Sequence, residues 1–431
     1  MNSSTSFRPF FLNTNIAAAI DSYQDVLVQL GGNSGNAYIG ETVVNHLQPE
    51  GPIAGVNNIF TDALDDAALE QAQDASHIIL ILQDQIRRRI SYFDIPPWQH
   101  LASFIRKAKK PVVVFSLGAN AMPDDPWEVS AIDPTLVQAL HVIADHSKSM
   151  GIRCNFTADA LTQLGIKNFT VTGCPSYFFM GRDRIVRKKD SLKRGDRVIY
   201  NGLYVNGTAK KTEYVLQDEP ALLRLLLEPQ AVSARDALHI LSIPTPYRQS
   251  VITHILQAKV YCHLGFRQAI VHYQKARFSI GTRLHGSIAS LNAGTPTVLT
   301  NGDARARGTA EFFGIPYHPG LGISSNSDSV ERIDLARLYE RLDFATMNAA
   351  YPIAYERYRR FFANNDVPFY GDCTNPKMNL KRKCLPSIKC GRKSKERLRE
   401  ALADLGYDDG VEFDGSVRAS SFYLGSRPRS F

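Results

Sequence analysis

Clustered cysteines, long apolar runs and a secretion signal are all missing from this chain of 431 residues. Its six cysteines are scattered without a C-x-x-C pair, which excludes a disulfide-dense secreted domain. Cys373, Cys384 and Cys390 form a looser group that could bind a metal ion, but their spacing favours isolated reduced thiols. No apolar run approaches the roughly 18–20 residues that span a bilayer. Met1 to Ala19 lacks the basic and apolar regions of a signal peptide, so we predict a cytoplasmic protein.

Several catalytic motifs are absent as well. The chain contains no G-x-x-x-x-G-K-[ST], no H-E-x-x-H and no G-x-S-x-G. NTPase, zinc protease and α/β-hydrolase functions therefore have no motif support, and no motif requires a metal or a cofactor. Five histidines that lie on predicted elements or their flanks are interpreted as structural: His46, His77, His141, His146 and His239.

The positive charge is concentrated near the C-terminus. Residues 377–399 hold ten Lys or Arg against the single acid Glu396, more than the whole net charge of +8. Such a run is typical of a solvated, poorly ordered tail, and we expect this of the basic extension 376–431. The alternative is peripheral contact with an anionic membrane, worth about 1 kcal/mol per Lys or Arg. Nucleic acid is a weaker alternative, because the segment lacks interleaved aromatic residues.

Continuous apolar runs that alternate with helical periodicity predict an α/β fold with two doubly wound, Rossmann-like domains. The predicted strands are Asp25–Leu30, His77–Leu82, Pro111–Leu117, Phe169–Thr172, Val198–Leu203, Tyr214–Gln217, Leu238–Ser242, Phe278–Gly281 and Thr297–Thr300. The predicted helices are Ala37–Leu47, Trp98–Ala108, Pro134–Met150, Thr157–Leu164, Ala221–Leu227, Tyr247–Gln257, Phe266–Lys275, Leu284–Asn292, Arg307–Phe313, Ser329–Leu342 and Phe344–Phe362. The charged segment Arg182–Arg197 predicts the boundary between domains 1–185 and 186–375.

The strongest signal for a site is the sequence SIGTRLHGS at Ser279–Ser287, where a buried strand ends and a helix begins. Ligands of open α/β sheets bind beyond the carboxyl ends of strands, and a helix N-terminus favours an anion. Arg283 can hold a carboxylate or phosphate through two parallel hydrogen bonds. His285 titrates near neutral pH and could donate a proton. The alternative is a structural pair, with an ion-paired arginine and a histidine satisfied at the helix start.

Two further loops are expected near this one. After the next strand, Asp303 could accept a proton from a hydroxyl or simply cap the following helix, and Arg305 adds a cation. Adjacent parallel strands lie about 5 Å apart, so this loop should neighbour Arg283. In the first domain, the glycine-rich loop Gly31–Asn36 could approach a sugar or phosphate, although it lacks the dinucleotide-binding pattern.

The ordered set of motifs resembles the polysaccharide pyruvyl transferase family. The resemblance rests on GGNSGNAYIGE at Gly31–Glu41, on Gly173-Cys174-Pro175-Ser176, on Gly281–Gly286, on Asp303-Ala304-Arg305 and on the stretch Glu311–Pro316. It covers about residues 25–320.

The resemblance implies a fold like that of the B-type glycosyltransferases, and transfer of pyruvate from phosphoenolpyruvate to a sugar or lipid-linked oligosaccharide as a cyclic ketal. It makes domain 1–185 the acceptor side, His285 the acid and Arg283 the anion clamp, and Arg153 matches a second family arginine. Other residues expected to bind substrate are Leu284, Gly286, Gly32, Asn33, Asn36, Arg305 and Glu311. The alternatives are a nucleotide-sugar-dependent glycosyltransferase, for which Glu311 is the candidate nucleotide-binding acid, and a non-catalytic sugar-binding protein.

Overall fold

The protein folds around two parallel β-sheets covered by helices. The structure, a computed structural model, describes residues 7–14, 20–47, 53–59, 62–87, 98–121, 128–202, 211–243, 247–300, 303–319, 333–372 and 387–405. Within these residues, no helix is long and apolar enough to cross a membrane.

The first sheet lies in the N-terminal half. Its region contains the strands β1 (Pro9–Leu12), β2 (Gly55–Asn57), β3 (His77–Ile81), β4 (Ile86–Arg87), β5 (Val112–Phe115), β6 (Ala119–Asn120), β7 (Met150–Ile152) and β8 (Phe169–Val171). The sheet order is β2-β1-β3-β5. The parallel pair β7-β8 lies beside β5, because Leu117 bridges to Ile152, and β4 pairs with β6. The helices of this half are α1 (Tyr23–Leu30), α2 (Ser34–Leu47), α3 (Asp66–Gln73), α4 (Trp98–Ala108), α5 (Pro134–Asp145) and α6 (Asn155–Gln163).

The second sheet has the strand order of a dinucleotide-binding fold, with one strand added. Its strands are β9 (Arg197–Asn201), β10 (Lys211–Leu216), β11 (Val260–His263), β12 (Phe278–Gly281), β13 (Thr297–Thr300), β14 (Tyr317–His318) and β15 (Ser387–Lys389). The order β14-β13-β12-β9-β10-β11-β15 reverses direction between β9 and β12, which is where such sheets bind ligands. The helices of this half are α7 (Pro220–Leu227), α8 (Ala234–Leu241), α9 (Tyr247–Leu256), α10 (Phe266–Tyr273), α11 (Leu284–Asn292), α12 (Ala304–Phe313), α13 (Leu335–Arg341), α14 (Ala345–Asn364) and α15 (Arg392–Ala403).

Burial on both faces explains the continuous apolar strands. In β3, Ile78 and Leu80 pack into one core cluster while Ile79 and Ile81 pack into another. Alternate side chains of a strand point to opposite faces, so both faces of this sheet must be apolar. The predicted α/β fold with two doubly wound parallel sheets is therefore confirmed.

Helix α14 returns from the second half of the chain to the first sheet. The ring of Phe361 lies 5.3 Å from that of Phe115 on β5. Just beyond the helix, Asn365 accepts a hydrogen bond from the backbone N–H of Ser149. Among the described residues, all strands of the first sheet precede the segment Arg182–Arg197, and those of the second begin at its last residue or later. The predicted domain limits stay a prediction.

Two predicted strands are wrong. Asp25–Leu30 belongs to helix α1, and Leu238–Ser242 largely to helix α8. Each helix begins with a capping box, Ser22 with Asp25 and Ser233 with Asp236, in which side chain and backbone satisfy one another. These caps fix the start of a helix whose short apolar run is otherwise ambiguous. The predicted helix Pro134–Met150 is also too long, since α5 ends at Asp145 and Met150 begins β7.

The expectation of a poorly ordered basic tail is wrong for residues 387–405. Strand β15 pairs antiparallel with β11 at the edge of the second sheet, and α15 buries Leu398 and Leu402. Of the basic residues of α15, Arg392, Lys393 and Arg399 are exposed. Its membrane contact stays a prediction, and Cys373 and Cys384 lie outside the described residues.

Candidate active site

The candidate site lies where the carboxyl ends of both sheets meet. Asp84 follows β3 and Arg153 follows β7, while Arg283 follows β12 and Arg305 lies just beyond β13. The loop before α2 crosses to the second half, since the backbone N–H of Ser34 donates to the carbonyl of Gln217 at 3.0 Å. Loops of both halves thus line one crevice.

Arg283 is held by two carboxylates. Its Nη2 lies 2.5 Å from Asp218 Oδ1 and 2.9 Å from Glu219 Oε1, which also accepts from Arg283 Nε at 2.9 Å. Gly202, at φ +84°, allows this arrangement, because a side chain there would press on Arg283 and Glu219. The prediction that Arg283 could be ion-paired thus matches the observed geometry.

Glu219 is buried, and both of its carboxylate oxygens accept hydrogen bonds within the protein. Its Oε2 accepts hydrogen bonds from the backbone N–H groups of Gln217 and Asp218 at 2.8 and 3.1 Å. Because Oε1 is bound to Arg283, the carboxylate ties the loop after β10 to the start of α11. Glu219 therefore fixes the position of Arg283.

Arg153 is completely buried and only partly satisfied. Its Nε donates to the carbonyl and hydroxyl oxygens of Ser116 at 3.0 and 2.9 Å. Its Nη1 and Nη2 are buried and have no hydrogen-bond partner among the described residues. Burial lowers the pKa of this guanidinium. An arginine buried with unpaired donors is costly, which points to a ligand that completes it.

Arg305 lies beside Arg153 and is paired across the crevice. It makes ion pairs of 2.9 Å with Asp84 from the first half and 3.1 Å with Asp303. A methyl group on Gly118 would lie 3.2 Å from Cδ of Arg153 and 3.6 Å from Cδ of Arg305. The two arginines therefore approach within the width of one small side chain.

His285 is buried between the two halves. A side chain on Gly35 would collide with its ring, so the glycine-rich loop packs directly on the imidazole. Its Nε2 lies 3.6 Å from the Cys174 sulfur. Burial, together with the guanidinium groups of Arg153 and Arg305, holds the pKa of His285 well below its usual range. The imidazole is therefore neutral as the structure stands.

The carboxyl group of Asp218 is electrostatically perturbed. Burial raises the pKa of Asp218 to about 6, although Arg283 opposes that shift. Its Oδ2 has a long contact of 3.4 Å with Asn33 Nδ2. Asn33 in turn accepts from the backbone N–H of Gly35, so one short path joins Asp218 to His285.

The other predicted site residues lie in helix α11, between the end of α1 and the first turn of α2, and at the start of α12. Leu284 and Gly286 are buried in the first turn of α11. The Gly32 N–H and Asn36 Nδ2 both satisfy carbonyls near the end of α1, which orders the loop without reaching the crevice. Asp303 caps α12 through the N–H of Ala306.

Glu311 also lies away from the crevice. It is solvent-exposed and ion-paired with Arg307, seven residues after the start of α12 at Ala304. That places it about 10 Å along the helix from its start.

Sequence reasoning missed Asp84, Asp218 and Glu219, and it treated Cys174 only as part of a motif. Each follows a strand that the sequence analysis did predict, so the shared signal was a polar residue after an apolar run. Among the described residues, no three His, Cys, Asp or Glu side chains are arranged to hold a metal ion.

The comparison with protein families decides the class. A model described as "Polysaccharide pyruvyl transferase" matches residues 33–303, well over half of the chain. The chain belongs to the polysaccharide pyruvyl transferase family. The match includes Arg153, Arg283 and His285 and ends at Asp303. A comparison with curated proteins found no match.

Solved structures show only a loose likeness to this pyruvyl transferase family member. Anabaena HepE in complex with UDP and glucose is 12% identical, with a TM-score of 0.35, and the match covers 83% of this chain and 95% of that one. UDP-GlcNAc 2-epimerase from Methanocaldococcus jannaschii is 10% identical, with a TM-score of 0.34, over 92% and 99% of the two chains. Overlaps this loose support no conclusion about ligands.

Proposed function

We propose that the protein transfers pyruvate from phosphoenolpyruvate to two hydroxyls of a sugar, giving a cyclic ketal and phosphate. The observation that carries this proposal is Arg153, whose two terminal nitrogens are buried beside Arg305 and His285 and have no hydrogen-bond partner in the part of the chain that the structure describes. A guanidinium fork matches the oxygens of a carboxylate or a phosphate, and phosphoenolpyruvate carries both. The family membership supports the transferase class.

The proposed anion clamp consists of Arg153, Arg305 and the first turn of α11. The N–H groups of Leu284, His285 and Gly286 have no acceptor within their own helix, because they form its first turn. They add partial positive charge where the donor would lie. We assign Arg283, which two carboxylates hold, to positioning this turn, and Asp303 to capping α12 and orienting Arg305.

His285 is the proposed acid. Its pKa is depressed partly by Arg153 and Arg305, so an anion that neutralises both cations raises that pKa. Donor binding would thus let His285 take up the proton that it then gives to the methylene carbon. Protonation of the methylene carbon makes C2 cationic, one sugar hydroxyl adds to C2, and the second displaces phosphate. The two hydroxyl protons balance the one gained by the methyl group and the one carried away by hydrogen phosphate.

Calorimetric titration with phosphoenolpyruvate tests the donor directly. We expect Arg153→Met to weaken binding about 100-fold, because charge-assisted hydrogen bonds contribute about 1.5–3 kcal/mol each. Arg184→Met is the matched control: Arg184 is also a buried arginine whose nitrogens have no hydrogen-bond partner among the described residues, but its guanidinium is stacked between Tyr177 and Tyr351. It should leave donor binding unchanged.

Turnover is then measured as phosphate release with galactoside, mannoside and glucoside acceptors. We expect acceptor-dependent release that His285→Ala abolishes. Wild-type protein that binds UDP-glucose and ignores phosphoenolpyruvate would overturn the proposal and establish the nucleotide-sugar glycosyltransferase alternative.

A further inference from the structure

A cavity of about 180 Å³ opens beside Arg283, on the side of α7 and α8. Asp218, Glu219 and Arg283 form its polar end, and Leu222, Ile240 and Ile243 form its apolar walls. Its volume is below the roughly 300–1,000 Å³ of sites that hold drug-sized ligands, which suits a single sugar ring better than a nucleotide. A sugar offers both hydroxyls for the polar end and C–H surface for the walls.

Asp218 connects this cavity to the proposed donor site. It lines the cavity, and its contact with Asn33 leads through Gly35 to the ring of His285. Glu219 cannot act in the same way, because both of its oxygens are already bound by backbone N–H groups and by Arg283. Among the described residues, Asp218 Oδ2 has only the 3.4 Å contact with Asn33, so this oxygen can accept a further hydrogen bond.

We propose that this cavity binds the sugar acceptor and that Asp218 takes the proton of the attacking hydroxyl. The inference rests on the proposed function and places the acceptor in the second half of the chain, whereas the sequence analysis expected it in domain 1–185. As the hydroxyl oxygen bonds to C2, its O–H bond breaks and the proton passes to the Asp218 carboxylate. The second hydroxyl then displaces the phosphate and loses its proton to it.

The charge environment of Asp218 supports this role. Burial is the main reason why the pKa of Asp218 rises to about 6, Glu219 and Asp84 add to the rise, and Arg283 and Arg305 oppose it. A carboxylate that is ionised at pH 7 yet titrates close to neutrality is suited to general base catalysis. His239 also faces this cavity.

The first experiment tests whether the cavity binds a sugar by placing a large side chain at its edge. His239→Trp places a large side chain at the cavity, and Arg235→Trp places the same side chain on an exposed position one turn earlier on α8. Methyl galactoside, mannoside and glucoside binding is measured by saturation-transfer NMR with phosphoenolpyruvate present. We expect at least one glycoside to bind, His239→Trp to weaken that binding at least tenfold, and Arg235→Trp to leave it unchanged. If no glycoside binds, or if His239→Trp has no effect, the cavity is not the acceptor site.

The second experiment tests Asp218 with the glycoside that binds. We expect Asp218→Asn to lower kcat at least 100-fold with the Kd for phosphoenolpyruvate unchanged, and Asp218→Glu to recover part of the rate. The acidic limb of the wild-type pH–rate profile, with an apparent pKa near 6, should disappear in Asp218→Asn. A kcat within threefold of wild type, or lost donor binding, would overturn the role of Asp218 as base. Failure of wild-type protein to bind phosphoenolpyruvate would instead refute the proposed function.

Discussion

Arg153 shows at the scale of one residue how a functional group can oppose stability. Its side chain is fully buried, Ser116 satisfies only Nε, and no ion pair within 4 Å is present among the described residues. A buried donor without a partner costs about 1–3 kcal/mol. The fold tolerates this cost because the rest of the core is large, and a bound anion would remove it.

Arg153→Met should therefore stabilise the ligand-free protein while it destroys donor binding. We expect the free energy of unfolding to rise by about 1–3 kcal/mol, since two unpaired donors are removed and methionine fills much of the same volume. Urea denaturation without phosphoenolpyruvate measures the change. A clear loss of stability would mean that the terminal nitrogens of Arg153 already have partners.

The sequence predicted candidate site residues but not the side chains that contact them. Arg283 and His285 were predicted from one motif, yet the structure pairs Arg283 with acids that follow β10 and buries His285 against the loop before α2. Those neighbours are more than 60 residues away in the chain. Local sequence pattern carries no information about such contacts.

At the scale of elements, helix caps decided between strand and helix where the apolar pattern was ambiguous. The runs before Leu30 and before Ser242 are short and apolar, so periodicity alone could not separate strand from helix. In both, a serine followed three residues later by an aspartate forms a capping box. That signal was present in the sequence and would have corrected both predictions.

Helix α15 provides the element-scale test of the basic segment. Leu398 is fully buried, and Arg397 donates to the carbonyl of Val232 at 2.9 Å. Leu398→Ala should lower the free energy of unfolding by about 2–5 kcal/mol, because it leaves a cavity in a packed core. Lys393→Ala, at an exposed position of the same helix, should change it by no more than about 0.5 kcal/mol.

Thermal and urea unfolding of both variants provide the measurement. If Leu398→Ala is as stable as wild type, α15 contributes nothing to the core, and the expectation of a solvated tail holds after all. The strand pairing of β15 with β11 would then have to be independent of the helix that follows it.

At the scale of the whole molecule, buried neutral histidines make stability depend on pH. Burial lowers the pKa of His46 and that of His263 to about 3. An unfolded histidine titrates near 6.5, so between these values the unfolded state binds more protons than the folded one. This contribution is present above pH 6.5 and is lost as the pH falls towards 3.

His46→Gln should flatten that dependence. Each such histidine contributes a slope of about 1.4 kcal/mol per pH unit in this window, and glutamine can still bond the Tyr358 hydroxyl, 3.2 Å from His46 Nδ1. Urea denaturation at pH values from 6 to 4 measures the slope. His100→Gln, which changes an exposed histidine, should leave the slope as in wild type, and an unchanged slope in His46→Gln would contradict the burial argument.

The sequence alone determined the α/β class, about half of the strands and most of the helices, and the family. Continuous apolar runs and ordered motifs are local properties, because burial on both faces of a sheet dictates residue type at each position. Only the tertiary structure decided which side chains meet. Arg153 has no partner for its terminal nitrogens among the described residues, Arg283 pairs with Asp218 and Glu219, and residues 387–405 form an edge strand and a packed helix. These outcomes depend on contacts between segments far apart in sequence, and such contacts form only when the two sheets are brought together.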